Sequence, residues 1–213
     1  MSALDSIINF IVAAVLAGTP LLYGTMGEIL TEKSGNLNLG VEGLMYMGAV
    51  AGLFFGYYTG SAILAVVGAF LAGALGSLIY SFLTVTLKAN QNVTGLTLTI
   101  FGVGFGNMLG DALMRSVPGG VMAVSDTVRA AFTNLHIPVL GDIPYLGRML
   151  FQYNIFVYLA IALALVMAWM LRRTRTGLNL RAVGESPATA DAAGIGVSKY
   201  RYLATCIGGG LGG

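Results

Sequence analysis

The chain has 213 residues, 56% of them hydrophobic and only 9% charged, with a formal net charge of +2. A soluble domain carries about 25% charged residues, and a mean hydropathy of +0.82 excludes that class: residues 1–213 read as a single all-α, multi-pass transmembrane bundle. The lone Cys206 excludes an internal disulfide, and the small positive charge is accounted for by one basic loop, so nucleic acid is not implied.

The first charge-free run covers residues 6–27. Asp5 precedes it and no basic residue does. The positive n-region of a signal peptide is therefore missing, and the run reads as a retained helix. Gly27 to Ser34 approaches a phosphate-binding loop, but Glu32 stands where the second glycine belongs and no strand precedes it. Next, the segment Ser34-Gly-Asn-Leu-Asn-Leu-Gly-Val-Glu-Gly-Leu-Met45 carries Asn36, Asn38 and Glu42 into the head of an apolar run. Asn38 and Glu42, four apart, are expected on one helical face. Two readings stand: an N-cap with a carboxylate at the positive helix end, or a functional Glu42 inside the membrane, where ionisable groups are costly.

Residues 43–87 carry no charge. As one helix they would extend about 67 Å at 1.5 Å per residue, so the run is expected to turn near residues 57–61 and cross twice. Gly48, Gly52, Gly56 and Gly60 recur every fourth residue, as do Gly102, Gly106 and Gly110. Such stripes let backbones approach where lipid provides no hydrophobic drive for association; for Gly102 to Gly110 the alternative is sliding or bending beside a pathway. After Lys88, the run at 89–110 opens with Asn90, Gln91, Asn92, Thr94, Thr97 and Thr99. A broken or re-entrant helix lining a cavity accounts for these, which makes Asn92 and Thr94 candidate solute-pathway residues beside Asn38 and Glu42. Threonines bonded within their own helix are the alternative.

Residues 111–148 form a loop with Pro118, Pro138 and Pro144, and residues 125–134 are expected to hold a short helix. His136 is alone there, so no metal site is expected, and no apolar run contains the His of an intramembrane serine protease. Residues 149–171 make the fifth charge-free run, so about five complete spans are expected. Residues 172–201 then hold six of the eleven Lys and Arg (Arg172, Arg173, Arg175, Arg181, Lys199, Arg201) against Glu185 and Asp191. Inside this stretch Ser186 is a candidate N-cap, Pro187 suits the first helical position, and Gly194 stands at a C-terminal stop. A two-turn helix is marginal alone and must dock to persist.

The positive-inside rule puts residues 172–201 in the cytoplasm. Counting back, 111–148 lies outside, Lys88 inside, 57–61 outside, 28–36 inside and the N-terminus outside. Gly208, Gly210 and Gly213 satisfy a dinucleotide fingerprint literally, but in an apolar helix without a βαβ unit. A sixth apolar segment starts at Tyr202 and stops after about twelve residues, too short to span, so a cut inside a helix, with truncation at the C-terminus, is expected.

Both polar segments resemble the membrane subunits of ATP-binding-cassette importers for branched-chain amino acids, ribose-type sugars and nucleosides. In that family a Gly-(Ile/Leu)-(Asn/Asp)-(Leu/Phe) motif opens an early helix. Gly35 to Leu39 is similar to it, with Asn36 as an extra residue. The family's cytoplasmic loop, Thr-x-x-Gly, Ala-(Ile/Leu/Val)-Gly, Ala-Ala, then Ser/Ala-Gly-Ile, resembles Thr174 to Gly177, Ala182 to Gly184, Ala188 to Ala190 and Ala193 to Ile195. The likeness departs at residues 185–187. The wording of residues 37–45 is closest to the nucleoside or simple-sugar branch.

The resemblance implies a permease subunit of a bacterial inner-membrane importer, with no bond chemistry and no cofactor in this chain. ATP and Mg would sit in two partner ATPase subunits. A second permease copy or homologue and an extracytoplasmic solute-binding protein would complete the assembly, in contact with the lipid bilayer. Gly184, Glu185, Ser186, Ala188, Ala190, Gly194 and Ile195 are the implied ATPase-coupling residues. The alternatives are a branched-chain amino acid permease of the same family, or an ion-coupled secondary transporter, for which Glu42 is the one candidate relay acid.

Overall fold

A 31-residue helix, α1 (Ala3–Lys33), runs through Pro20 and opens the structure. The computed structural model describes residues 3–117, 119–134 and 146–213; Pro118, His136, Pro138 and Pro144 lie outside the described residues. Among the described residues nine further helices follow: α2 (Val41–Thr59), α3 (Ala62–Ser81), α4 (Gln91–Arg115), α5 (Asp126–Ala131), α6 (Leu146–Leu150), α7 (Ile155–Arg173), α8 (Arg175–Glu185), α9 (Pro187–Ala192) and α10 (Val197–Gly212). A π-helical turn, Phe82–Thr86, extends α3. Among the described residues no strand occurs, only an isolated bridge between Asn134 and Asn154.

Helix ends follow local chemistry. α1 stops at Gly35, which has a φ of 79°. The Asn36 N–H returns to the Thr31 carbonyl and the Gly35 N–H to that of Glu32, the paired bonds of a Schellman stop. The α2–α3 hairpin turns at Gly60, with a φ of 63°, and Ser61, inside the window expected from the length of the uncharged run. Asn90, Asn154 and Thr174 cap α4, α7 and α8 with side-chain oxygens on backbone N–H groups. α5 is the short helix expected around residues 125–134. Two boundaries differ from expectation. α4 continues to Arg115, so residues 111–115 are helix, not loop. The irregular backbone lies at residues 34–40, not at 90–94, where Asn90 simply starts α4.

Among the described residues four helices are long and apolar enough to cross a membrane: Leu4–Lys33, Ala62–Thr86, Gln91–Arg115 and Ile155–Arg173. α2 has 19 residues, but Glu42 and its glycines and tyrosines lower its mean hydropathy. Large apolar side chains face outward along the bundle, including Ile63, Ile100, Phe10, Leu165 and Trp169, as lipid contact requires.

α2 packs against α3 and α4, and α10 against α1 and α3. Glycines set these crossings. A Cβ on Gly27 would overlap the Gly208 carbonyl, and one on Gly208 would overlap that of Gly27. Gly73 meets Gly209 in the same way, and a Cβ on Gly102 would lie 2.6 Å from the Gly43 carbonyl oxygen. The expected stripes divide between partners. Gly52 and Gly56 face Ala69 and Ala65 of α3, Gly48 faces Gly213, Gly106 faces the Tyr46 ring, and Gly110 only grazes Val50 at 4.0 Å. Two of these close sites, Gly27 and Gly208, lie in the two nucleotide-motif look-alikes. Their spacing serves helix crossing.

Contacts fix the direction of each helix. The pairs Gly24–Gly212 and Gly27–Gly208 make α10 antiparallel to α1, and Ala69–Gly213 and Gly73–Gly209 make it antiparallel to α3, whereas Gly43–Gly102 and Gly106–Tyr46 make α2 parallel to α4. Lys33, Gly35, Gln91 and Gly184 gather at one end, the basic end. The Gly60 turn meets Ser125 at the other.

Candidate functional site

Residues 34–40 leave helical geometry between α1 and α2, and such backbone is tolerated at membrane depth only where protein covers it. Here the cover comes from four elements. Gln91 of α4 accepts from the Leu37 N–H at 2.9 Å and donates to the Gly35 carbonyl at 3.3 Å. Glu28 of α1 accepts from the Asn38 N–H at 2.8 Å. Tyr80 of α3 donates to the Leu37 carbonyl, Thr99 of α4 to the Leu39 carbonyl at 3.0 Å, and Arg201 of α10 to the Ser34 carbonyl at 3.2 Å. Asn36, 1% exposed, donates to Thr205 Oγ1 at 3.0 Å. Glu28 Oε2 and Asn36 Oδ1 have no hydrogen-bond partner among the described residues.

This arrangement corrects the reading of Asn38. It is 2% exposed, and its Oδ1 accepts from the Gly40 N–H at 2.9 Å. Asn38 lies outside α2, so it shares no helical face with Glu42, and it braces the turn into that helix. Glu42 is exposed in the first turn of α2, where its charge suits the positive helix end. Asn92 is exposed and Thr94 half-buried on the first turns of α4. Asn36 and Gln91, which organise the segment, escaped sequence reasoning as site residues. A glycine stop followed by Asn was the available signal.

The basic end is built from α8, α9 and the start of α10. The buried faces of α8, Leu180 and Val183, turn inward; Leu180 joins Leu30, Leu171 and Ala204 in one cluster. Gly184 sits where a Cβ would overlap the Lys33 carbonyl, so α8 rests directly on the end of α1. Beyond it, Glu185, Ser186, Ala188 and Gly194 are exposed, while Ile195 is half-buried. α9 ends as expected at Gly194, with a φ of 78°; Ile195 N–H bonds to the Ala190 carbonyl at 2.9 Å and Gly194 N–H to that of Asp191 at 2.9 Å.

Two details of this loop differ from expectation. Ser186 makes no side-chain cap; its hydroxyl pairs with Thr189 Oγ1 at 2.7 Å. Ala190 is 3% exposed and points into the protein, so it is part of the loop's own support.

A cavity of about 670 Å³ lies toward the opposite end, lined among others by Leu16, Pro20, Gly52, Phe70, Val128 and Phe156. Its walls are largely apolar, and Asn38, Glu42, Asn92 and Thr94 do not line it.

The family described as branched-chain amino acid transport system, permease component, matches residues 7–213. The chain is 37% identical to the guanosine ABC transporter permease protein NupQ of Bacillus subtilis, over 97% of this chain and 66% of that protein. It is 35% identical to the putative glucose ABC transporter permease protein TsgC13 of Haloferax volcanii, over 94% of this chain and 59% of that one. Identity to the nucleoside ABC transporter permease protein NupC of Lactococcus lactis is 30%, over 100% of this chain and 67% of the relative. The chain thus spans about two thirds or less of the length of these curated relatives. No solved structure gives a significant match.

Proposed function

Since the chain belongs to the family of permease components of branched-chain amino acid transport systems, and is a multi-pass protein of the inner membrane, we propose that it is the translocating subunit of an ATP-binding-cassette importer for a nucleoside or simple sugar. The names of its relatives, a guanosine, a nucleoside and a putative glucose permease, support this branch. A branched-chain amino acid permease is the second reading, favoured by the family description alone. In the proposed assembly α2 counts as a fifth crossing, because it carries the chain from the basic end, near Gln91, to the Gly60 turn at the other.

The partners are a second permease copy or homologue, two cytoplasmic ATPase subunits and an extracytoplasmic binding protein. ATP and Mg bind in the ATPase subunits. The observation that carries the reading is the stub at residues 185–194 on the basic end, exposed except at Pro187 and Ala190, backed by α8 against α1 and by Arg201 against Ser34. A push on the stub reaches residues 34–40 directly, which suits two-state gating driven by differential binding. Glu42, Asn92 and Thr94 are kept as pathway candidates; Asn38 frames the segment beside them.

Co-purification of the ATPase subunit with variants of the full-length permease tests this, together with uptake. Ala188→Arg crowds the exposed side of α9, and Gly194→Val strains a left-handed position at a cost of about 1–2 kcal/mol. Both are expected to lose ATPase binding and uptake while remaining folded in the membrane. ATPase binding and uptake at wild-type level in both would remove the stub as the docking element. Uptake that follows a proton or sodium gradient and ignores ATP would instead favour an ion-coupled carrier.

A further inference from the structure

Four polar side chains lie along the seam between the parallel helices α2 and α4, and all four are exposed: Glu42, Tyr46, Asn107 and Asp111. Glu42 and Tyr46 are one turn apart on α2, as are Asn107 and Asp111 on α4. Tyr46 joins the two helices. Its ring covers Gly106, and its hydroxyl donates to Asn107 Oδ1. Only glycine at 106 admits the ring that closely, so the pair is built into the helix crossing. The bond uses the acceptor of the Asn107 amide and leaves its two N–H donors without a hydrogen-bond partner among the described residues.

Position decides what this seam faces. Asn107 lies sixteen residues into α4, about 24 Å along the helix at 1.5 Å per residue, and about 12 Å short of its far end at Arg115. That is well inside a hydrocarbon core of about 30 Å. Polar side chains at such depth face a water-filled path or protein and not acyl chains. On the same helix Ile100 is 76% exposed and Val93 63% exposed, which marks the surface that lipid does tolerate.

We propose that the Glu42–Tyr46–Asn107 seam is the solute-recognition strip of the pathway and that it selects a nucleoside. The proposal rests on the importer reading above and deepens it. The chemistry is complementary to such a solute. The Tyr46 ring offers a face for a base, the Asn107 amide donors meet acceptors on the base edge, and the Glu42 carboxylate accepts from ribose hydroxyls. Four residues of α2 separate Glu42 from Tyr46 by about 6 Å of rise, the scale of one nucleoside.

The test uses full-length permease with its ATPase and binding protein, with guanosine and ribose as probes. Tyr46→Leu removes the ring, and Asn107→Ala removes the amide. Each is expected to raise the KM for guanosine uptake at least tenfold, with kcat and ATPase co-purification retained. Alongside, Asn107→Cys in a Cys206→Ser background is expected to react with a water-soluble thiol reagent and to be protected by guanosine, whereas Ile100→Cys stays unreactive.

Wild-type protein that takes up guanosine, with a KM rise below threefold in either variant, overturns the strip and leaves the importer reading intact. An unreactive Asn107→Cys does the same, since the seam is then covered by protein. This readout also decides the matter for a variant that fails to reach the membrane. Wild-type uptake of ribose but not guanosine overturns nucleoside selection alone. Wild-type protein with no ATP-driven uptake of either probe sinks the importer reading, and the strip with it.

Discussion

Arg201 Nε donates to the Ser34 carbonyl oxygen at 3.2 Å, joining positions 167 residues apart in the chain. Arg201 lies near the start of α10, the helix that leaves the basic loop, and Ser34 begins the irregular segment between α1 and α2. The bond therefore ties the proposed docking loop to residues 34–40. A hydrogen bond from a charged donor is worth about 1.5–3 kcal/mol, so Arg201→Gln is expected to lower ATP-driven uptake about tenfold or more at unchanged membrane levels. Arg172→Gln and Arg173→Gln, at exposed positions, are expected to have little effect because they serve the headgroup region. Equal uptake in all three variants would show that the tie carries no coupling.

Residues 34–40 depend on side chains from other helices for their backbone hydrogen bonds. Gln91→Ala removes partners of both the Leu37 N–H and the Gly35 carbonyl. Glu28→Ala strands the Asn38 N–H, whereas Glu28→Gln keeps an acceptor oxygen for it. An unmade buried hydrogen bond costs about 1–3 kcal/mol. The melting temperature in detergent is expected to fall clearly in both alanine variants and less in Glu28→Gln. Alanine variants that melt with wild type would mean that water replaces these partners freely.

The glycine crossings predict a graded response to one methyl group. Gly27→Ala and Gly102→Ala push a Cβ into a facing backbone that cannot swing aside, and overpacking costs about 1–3 kcal/mol. Gly104 has no atom within 4 Å of its Cβ position. Gly104→Ala is therefore expected to leave stability unchanged, or to raise it by up to about 1 kcal/mol through helix propensity. Thermal unfolding of the three detergent-purified variants checks the order. Similar losses at 27, 102 and 104 would argue against these close approaches.

Sidedness has its own test. Tyr58 and Ser125 are exposed near the Gly60 turn, and Glu185 is exposed at the basic end. Single cysteines at these positions, without Cys206, are expected to be labelled by an impermeant thiol reagent in intact cells at 58 and 125 but not at 185. External labelling at 185 would invert the topology and with it the docking loop.

The features legible in the chain alone are short-range or depend on composition. Scarce, segregated charge excluded a soluble domain, and the length of the run at 43–87 required the turn that Gly60 and Ser61 make. The stop at Gly194 and the short helix α5 follow from chemistry within a few residues, so both were legible. The two polar motifs also sufficed for the family.

Tertiary structure alone decided which side chain meets which partner. Asn38 looked like a pathway residue because its neighbours in sequence are polar, yet Glu28 and its own contact with Gly40 lock it inside. Ala190 looked like a docking surface, but the turn of α9 directs it inward. Gly27 and Gly208 looked like fragments of nucleotide motifs until α1 and α10 crossed on them. In a bilayer nearly every span is apolar all round, so periodicity does not say which helix faces which. Those choices rest on backbone approach and hydrogen bonds between residues far apart in the chain.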